Sequence, residues 1–141
     1  EYGMWNILVT NGTASLAVLE ELLPWIDAMN IDLKGFREAY YRKLGGDLET
    51  VRVFIARAAA SCHVELTTLI VPGENDAPED MEAQAKWIAG LRPSIPLHII
   101  RFFPRYQMLD KEATDVEQLY RLAGIAGKYL EKVYVGNVKL F

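Results

Sequence analysis

The sequence predicts an α/β fold in which helices cover a parallel sheet. Short apolar segments alternate with segments of helical periodicity, β-branched residues concentrate in the former, and Gly, Pro and Asn separate the two kinds. Strict alternation of strand and helix requires crossover connections, which are right-handed and place consecutive strands in a parallel sheet. The predicted order is β-α-β-α-β-α-β-α-β.

The first half of the chain contains two predicted strands and three predicted helices. The strands cover 4–10, where an Asn-Gly turn follows, and 29–33. Leucines at helical spacing predict a helix over 14–27, and a short helix is predicted over 35–44. Asp47 suits the N-cap of the third helix. The apolar stripe of that helix contains Val51, Phe54, Ile55 and Ala58.

In the second half, two capping boxes predict where the last two helices begin. Asp76, with Glu79 three residues later, starts a helix that continues to about residue 91. Thr114 and Glu117 start the other helix in the same way. The strands around these helices are predicted over 63–71, 97–103 and 132–135, rich in β-branched residues.

Alternation within the strands predicts one apolar face and one partly polar face. Asp32 and Lys34 alternate with Ile31 and Leu33, and His98 alternates with its apolar neighbours. Because a filled eight-stranded barrel has bulky apolar residues inside, a polar inner face favours an open, wider barrel around a ligand. A dinucleotide-binding sheet is disfavoured, since no G-x-G-x-x-G follows the first strand. The sequence thus predicts a partial parallel (β/α) barrel.

Composition excludes several classes of function. The 141 residues predict a single domain over 1–141. A net charge of −4 argues against a nucleic-acid partner. With neither a membrane span nor a targeting segment in the sequence, a cytoplasmic location is predicted. The single cysteine, Cys62, cannot form an internal disulfide or build a metal centre by itself, so no metal site is predicted in this chain.

Polar residues gather near the carboxyl ends of successive strands, where parallel α/β folds carry their sites. Plainer explanations remain open for some of them. Asp32 and Lys34 could form a structural ion pair. His98 could be a hydrogen-bonded core histidine, and Arg101 could pair with Glu65 across the inner face. The gathered residues are Thr10, Asn11, Asp32, Lys34, Thr67 and Arg101.

Five segments together resemble the radical S-adenosylmethionine (SAM) enzymes. They resemble most the pyruvate formate-lyase activating enzymes and the related AmmeMemoRadiSam group. The order and spacing of the segments carry the resemblance. They are VTNG at 9–12, NIDLKG at 30–35, VELTTLIVPG at 64–73 followed by Asn75 and Asp76, PLHIIRFFP at 96–104 followed by Tyr106, and VYVGN at 133–137.

The resemblance implies the later part of a partial (β/α)6 barrel, from its third strand onward, with the first strands absent from this chain. The Asp32-x-Lys34 pattern resembles a D-x-K motif that faces the amino-acid part of SAM, and Leu69 falls beside the adenine region. His98 and Arg101 match the AmmeMemoRadiSam pattern and are the candidates for catalysis. The cofactor-binding residues that the resemblance implies are Thr10, Asn11, Asp32, Lys34, Thr67, Leu69 and Tyr106, the last replacing a histidine of the activating enzymes.

The resemblance also implies an activity for the intact protein. Such enzymes reductively cleave SAM at a [4Fe–4S] cluster held by C-x3-C-x2-C, and then abstract hydrogen from a glycyl radical enzyme or a small molecule. This chain lacks those cysteines, so we expect it to be inactive alone and to bind neither cofactor tightly. A missing N-terminal segment is expected to cover the apolar edge of the first strand, which would otherwise self-associate.

Two alternatives stand beside this interpretation. One is a non-catalytic α/β domain that binds a ligand or partner. The other is a phosphate-binding TIM barrel, which the absence of late glycine-rich loops disfavours.

Overall fold

A computed structural model describes residues 3–138, so the two ends of the predicted 1–141 domain lie outside the described residues. The described strands form one parallel sheet whose order follows the sequence. This confirms the predicted α/β class and partial barrel. The strands are β1 (Ile7–Thr10), β2 (Ala28–Asp32), β3 (His63–Ile70), β4 (Leu97–Arg101) and β5 (Val133–Gly136).

The helices follow the predicted order but differ in their ends. The helix predicted over 14–27 is shorter, because Pro24 lies in a 3-10 turn (Leu23–Trp25) that closes it. The helices are α1 (Leu16–Leu22), α2 (Glu38–Lys43), α3 (Leu48–Ala59), α4 (Pro78–Leu91) and α5 (Val116–Ala126). None of the described helices is long and apolar enough to cross a membrane.

The predicted caps are right for one helix and wrong for two. Asp47 caps α3 by accepting the Thr50 amide hydrogen at 2.7 Å, as predicted. α4 instead follows Ala77, with Pro at its first position, and α5 is capped by Asp115 rather than Thr114. Both capping-box predictions failed because each side chain is used elsewhere. Asp76 accepts the Gly73 amide hydrogen, and Thr114 binds two strand ends.

The core lies on one face of the sheet. Paired residues of parallel strands share a face, and the apolar ones pack against the helices. This face is the outer face, and its strand residues are Met29, Ile31, Val64, Leu66, Thr68, Ile70, Leu97 and Ile99, all buried. The opposite face, called the inner face below, contains Asn30, Asp32, Glu65, Thr67, Leu69, His98, Ile100 and Tyr134. The predicted division of the sheet into an apolar face and a partly polar face is confirmed.

The apolar β1 is the least covered strand. It pairs with β2 on one side, and no other described strand pairs with it. Ile7 and Val9 share the inner face and are 67% and 73% exposed. Met4 and Trp5, just before the strand, are also exposed. An open apolar strand edge of this kind favours pairing with another chain.

We expect the chain to self-associate through β1, and the double substitution Ile7→Lys, Val9→Lys to reduce this association. Two charges on an edge strand disfavour pairing with a second copy. Sedimentation velocity over a concentration series measures the effect, with Tyr120→Lys on α5 as the control for an exposed apolar residue far from the edge. A monodisperse monomer of the unchanged chain at every concentration would contradict the expectation.

Candidate functional site

The inner face carries its polar groups in rows that cross the sheet. The register pairs Asp32 with Thr67, Thr67 with His98, and His98 with Tyr134. These four side chains therefore form one row across β2 to β5, called the polar row below. Its members are polar groups from four different strands, so the row exists only when the sheet is assembled.

An apolar row lies nearer the carboxyl ends of the strands. Leu69 pairs with Ile100, and Ile100 pairs with Gly136. A Cβ on Gly136 would come within 2.6 Å of the Ile100 Cδ1 atom, so only glycine fits there without displacing Ile100. Leu69 is 37% exposed. The inner face thus has an apolar surface between its polar row and the carboxyl ends of the strands.

The predicted Asp32 and Lys34 pair is present at the end of β2. The Lys34 Nζ donates to the Asp32 Oδ2 at 2.5 Å. The Lys34 backbone is fixed as well, because its N–H donates to the Tyr41 hydroxyl at 3.0 Å and its carbonyl accepts from the Asn75 amide at 2.6 Å. Both charged side chains remain partly exposed. The pair is therefore held in place and still open to solvent.

Both histidines of the chain bind the same carboxylate. The Glu65 Oε2 lies 2.7 Å from the His98 Nε2, and its Oε1 lies 3.2 Å from the His63 Nε2. The hydrogen bonds from His63 and from His98 hold the pKa of Glu65 below its usual range. Glu65 is thus ionised at neutral pH. The His98 ring also stacks on Tyr134, with 5.2 Å between the ring centroids.

Asn75 joins the ends of β2 and β3. Its buried side-chain amide donates to the carbonyls of Lys34 and Leu69 at 2.6 and 2.8 Å, and it accepts the Val71 amide hydrogen at 2.7 Å. These backbone groups lie beyond the regular ladder, where a buried polar group without a partner costs about 1–3 kcal/mol. Asn75 therefore fixes the backbone that carries both Lys34 and Leu69.

Thr114 joins the ends of β3 and β4 in the same way. Its hydroxyl donates to the Ile70 carbonyl at 2.6 Å and accepts the Phe102 amide hydrogen at 3.1 Å. Its own carbonyl accepts from the Arg101 Nε at 2.7 Å. Thr114 is fully buried. Its position explains why it does not cap α5.

A cleft of about 810 Å³ opens at the carboxyl ends of the strands. Its size is within the usual range for small-molecule sites, and its wall combines charged, hydroxyl and apolar side chains. We call it the strand-end cleft. It is lined by Asn11, Thr13, Lys34, Tyr40, Tyr41, Leu44, Gly45, Gly46, Asp47, Thr50, Leu69, Val71, Phe102 and Met108.

The structure places the predicted cofactor residues in four different surroundings. Asn11, Lys34 and Leu69 line the strand-end cleft, and Asp32 and Thr67 belong to the adjacent polar row. Thr10 pairs with Ile31 and so lies on the outer face, where its hydroxyl accepts the Gly12 amide hydrogen at 3.1 Å. Tyr106 is 85% exposed in the segment after β4, where its hydroxyl accepts from the neighbouring Gln107 amide.

The two candidate catalytic residues lie on opposite faces of β4. His98 belongs to the inner face, whereas Arg101 pairs with Ile70 on the outer face. The suggested Arg101–Glu65 pair is wrong, because the Arg101 guanidinium binds the Thr114 carbonyl and lies over the Phe103 ring. Only His98 of the two joins the polar row.

Cys62 lies far from the strand-end cleft. It lines a second cleft of about 580 Å³ that also contains His63 at the start of β3. Burial raises the pKa of its thiol. Within residues 3–138, no three side chains of His, Cys, Asp or Glu are grouped so that they could hold a metal ion.

Solved structures define the fold. A domain of pyruvate-formate lyase-activating enzyme from Bacteroides vulgatus has a TM-score of 0.82 and 18% identity, covering 96% of this chain and 83% of that domain. A radical SAM methyltransferase from Sphaerobacter thermophilus has a TM-score of 0.67 and 15% identity, covering 92% of this chain and 39% of that one. The chain shares the fold of these two structures. Fold alone leaves the activity to be argued from the site.

One sequence relative matches almost the whole length of this chain. An uncharacterized protein from Methanocaldococcus jannaschii is 36% identical in an alignment of 141 positions, which covers 98% of this chain. This chain spans 42% of the length of that relative. No protein-family model matches the chain.

The structure adds Tyr41 to the candidate site, a residue that sequence reasoning missed. Its hydroxyl accepts the Lys34 amide hydrogen and lies against the strand-end cleft. Burial raises the pKa of Tyr41 to about 12. No local sequence pattern identifies Tyr41 as a site residue, because the sequence of α2 is that of an ordinary helix. The contact with Lys34 depends on how α2 packs against the end of β2.

We expect Tyr41→Phe to destabilise the fold by about 1–3 kcal/mol at pH 7, because the buried Lys34 amide hydrogen loses its acceptor. The folded state favours the neutral phenol, so the stabilisation is complete below the unfolded pKa near 10 and is lost as pH rises through about 12. Urea unfolding from pH 7 to 11.5 measures the difference, which should shrink above pH 10.

The control for this prediction is Tyr120→Phe, which changes an exposed phenol on α5. It should leave stability unchanged at every pH. An equal loss in both variants would show that the hydrogen bond to Lys34 is not the cause. A Tyr41 effect that stays constant through pH 11.5 would contradict the raised pKa of its buried phenol.

Proposed function

We propose that this chain is the SAM-binding portion of a radical SAM enzyme of the glycyl-radical-enzyme-activating type. In the intact protein, that enzyme reductively cleaves SAM at a [4Fe–4S] cluster. One observation carries the proposal. Asp32 and Lys34 form an open charge pair where the strand-end cleft meets the polar row, in a chain with the radical SAM fold.

The side chains around the cleft fit the chemistry of SAM. Its amino-acid part carries an ammonium and a carboxylate, which complement the Asp32 carboxylate and the Lys34 ammonium, 2.5 Å apart in the structure. Its adenine needs an apolar surface, and Leu69 and Phe102 line the same cleft. Asn11 adds an amide at the end of β1. We therefore assign SAM to the strand-end cleft, with its polar end toward Asp32.

The residues of this chain do not fit the cluster. Three thiolates are needed to hold it, and the chain has one cysteine, which lies at the start of β3 away from the strand-end cleft. We propose that cysteines outside this chain hold the cluster. The same outside segment would cover the exposed β1 in place of a second copy.

We also propose a substrate and a cellular compartment for the intact protein. The substrate is a glycyl radical enzyme or a small molecule, and the cytoplasm, where thiols stay reduced, is the compartment. The alternative is a non-catalytic domain that binds a ligand or partner with the same cleft.

We expect SAM to bind this chain weakly, with a Kd on the order of millimolar, since part of its site is proposed to lie elsewhere. Added SAM should perturb the backbone amide signals of Asn11, Lys34 and Leu69 in a ¹⁵N–¹H correlation spectrum. Lys34→Met should weaken binding by about tenfold, or 1.4 kcal/mol, by removing the partner of the SAM carboxylate.

Glu117→Gln is the control for SAM binding, because Glu117 is exposed on α5 away from the cleft. This variant should bind SAM as the unchanged chain does. Perturbations that spread over the surface, or that remain unchanged in Lys34→Met, would refute the assignment of SAM to the strand-end cleft.

We also expect anaerobic reconstitution with iron and sulfide to leave this chain without a [4Fe–4S] cluster. One thiolate cannot supply three ligands. Iron and sulfide analysis together with electron paramagnetic resonance after reduction checks this. Near four iron and four sulfide per chain, with cleavage of SAM, would overturn the proposal that outside cysteines are required.

A further inference from the structure

The hydrogen bonds of Glu65 determine the protonation of the His98 ring. An ionised carboxylate can only accept hydrogen bonds. The His98 Nε2, at 2.7 Å from the Glu65 Oε2, must therefore carry the proton that the two atoms share. The other ring nitrogen of neutral His98, Nδ1, is then an acceptor with a free lone pair. Within residues 3–138, Nε2 is the only His98 atom with a side-chain hydrogen bond.

Two further contacts fix this arrangement. His63 binds the second oxygen of Glu65 and so holds the carboxylate from its other side. The Tyr134 ring stacks on the His98 ring and restricts its rotation. His98 itself is half-buried in the polar row, one strand away from Thr67 and two from Asp32. A ring that is oriented, partly buried and still open on the inner face is suited to proton transfer.

We propose that Glu65 positions His98 to take a proton from the hydroxyl or ammonium group of a ligand bound on the inner face. The proton passes to Nδ1, the electron pair of the broken O–H or N–H bond stays on the ligand, and Nε2–H remains bonded to Glu65. The carboxylate stabilises the imidazolium, which later returns its proton to product or water. Glu65 is a positioning residue and His98 is the acid–base residue.

This inference rests on the proposed function for the identity of the site and names the class of its ligand. The substrate of the inner face is a polar molecule with a transferable O–H or N–H proton. The neighbouring groups favour such a molecule, since the Thr67 hydroxyl donates to the Asn30 side-chain oxygen at 2.8 Å and accepts no hydrogen bond from any residue within 3–138, so that it can accept one from a ligand.

The ¹⁵N signature of the imidazole ring tests the positioning role. In long-range ¹H–¹⁵N spectra of the 141-residue chain at pH 8, we expect His98 as a single tautomer protonated at Nε2. Glu65→Ala should give a mixture of both tautomers, and Glu65→Gln should restore the Nε2–H form because its amide oxygen can still accept. A purely structural Glu65 would change stability without changing the tautomer.

Chemical modification tests the free nitrogen. Diethyl pyrocarbonate attacks unprotonated imidazole nitrogen. We expect the modification rate of His98 to rise by about twofold or more in Glu65→Ala, because Nε2 becomes available in addition to Nδ1 and the carboxylate no longer stabilises the unreactive imidazolium. Peptide mass mapping locates the modified ring, and Glu117→Ala serves as the charge-matched control. Circular dichroism confirms that each variant is folded.

The outcomes separate this inference from the proposed function, because neither experiment uses SAM or a cluster. An Nδ1–H tautomer in the unchanged chain, or equal modification rates with and without Glu65, would overturn the inference while leaving the SAM assignment intact. Failure of SAM to bind, with the Nε2–H tautomer present, would overturn the proposed function and leave the inner-face acid–base pair standing.

Discussion

The fold depends on how the strands end. Inside a parallel sheet each backbone amide and carbonyl has a partner on the next strand, but at the carboxyl edge the ladder stops while the chain is still buried. Asn75 and Thr114 supply partners there, joining β2 to β3 and β3 to β4. The Thr68 hydroxyl donates to the Leu33 carbonyl, and the Tyr41 hydroxyl accepts from Lys34. The site residues are therefore held by backbone whose amide and carbonyl groups are hydrogen-bonded at the strand ends.

The second constraint is the parity of the strands. Because side chains alternate between faces, the same register that buries Ile31 and Leu66 against the helices places Asp32 and Thr67 together on the inner face. A shift of one residue in β2, β3 or β4 would move Asp32, Glu65 or His98 into the core. The polar row is thus fixed by the same burial that stabilises the sheet, and it needs no contacts of its own to remain aligned.

Parity also explains how much of the site the sequence could predict. The sheet, the two faces and the Asp32–Lys34 pair follow from local alternation. Counting positions along β4 would also have separated His98 from Arg101, and counting along β1 would have placed Thr10 on the outer face. The capping error at Thr114 and the missed Tyr41 have another cause. Thr114 bonds to the Ile70 carbonyl 44 residues away, and Tyr41 bonds to the Lys34 amide, just after β2 and 7 residues away. Nothing in the local sequence pattern reports such a partner.

The polar inner face is difficult to explain by stability alone. An apolar filling would stabilise the sheet more, since burying charged and hydrogen-bonding groups costs free energy unless every group is satisfied. Here both carboxylate oxygens of Glu65 are hydrogen-bonded, one to His63 and one to His98. The Nδ1 atom of His98 and the solvent-exposed side of the Asp32–Lys34 pair nevertheless remain available to bind a ligand. A structural network would close on itself. Within residues 3–138, this one ends in an acceptor without a hydrogen bond and an exposed charge pair, with Thr67 between them in a single row, and that spacing suits the proposed ligand, which would contact both.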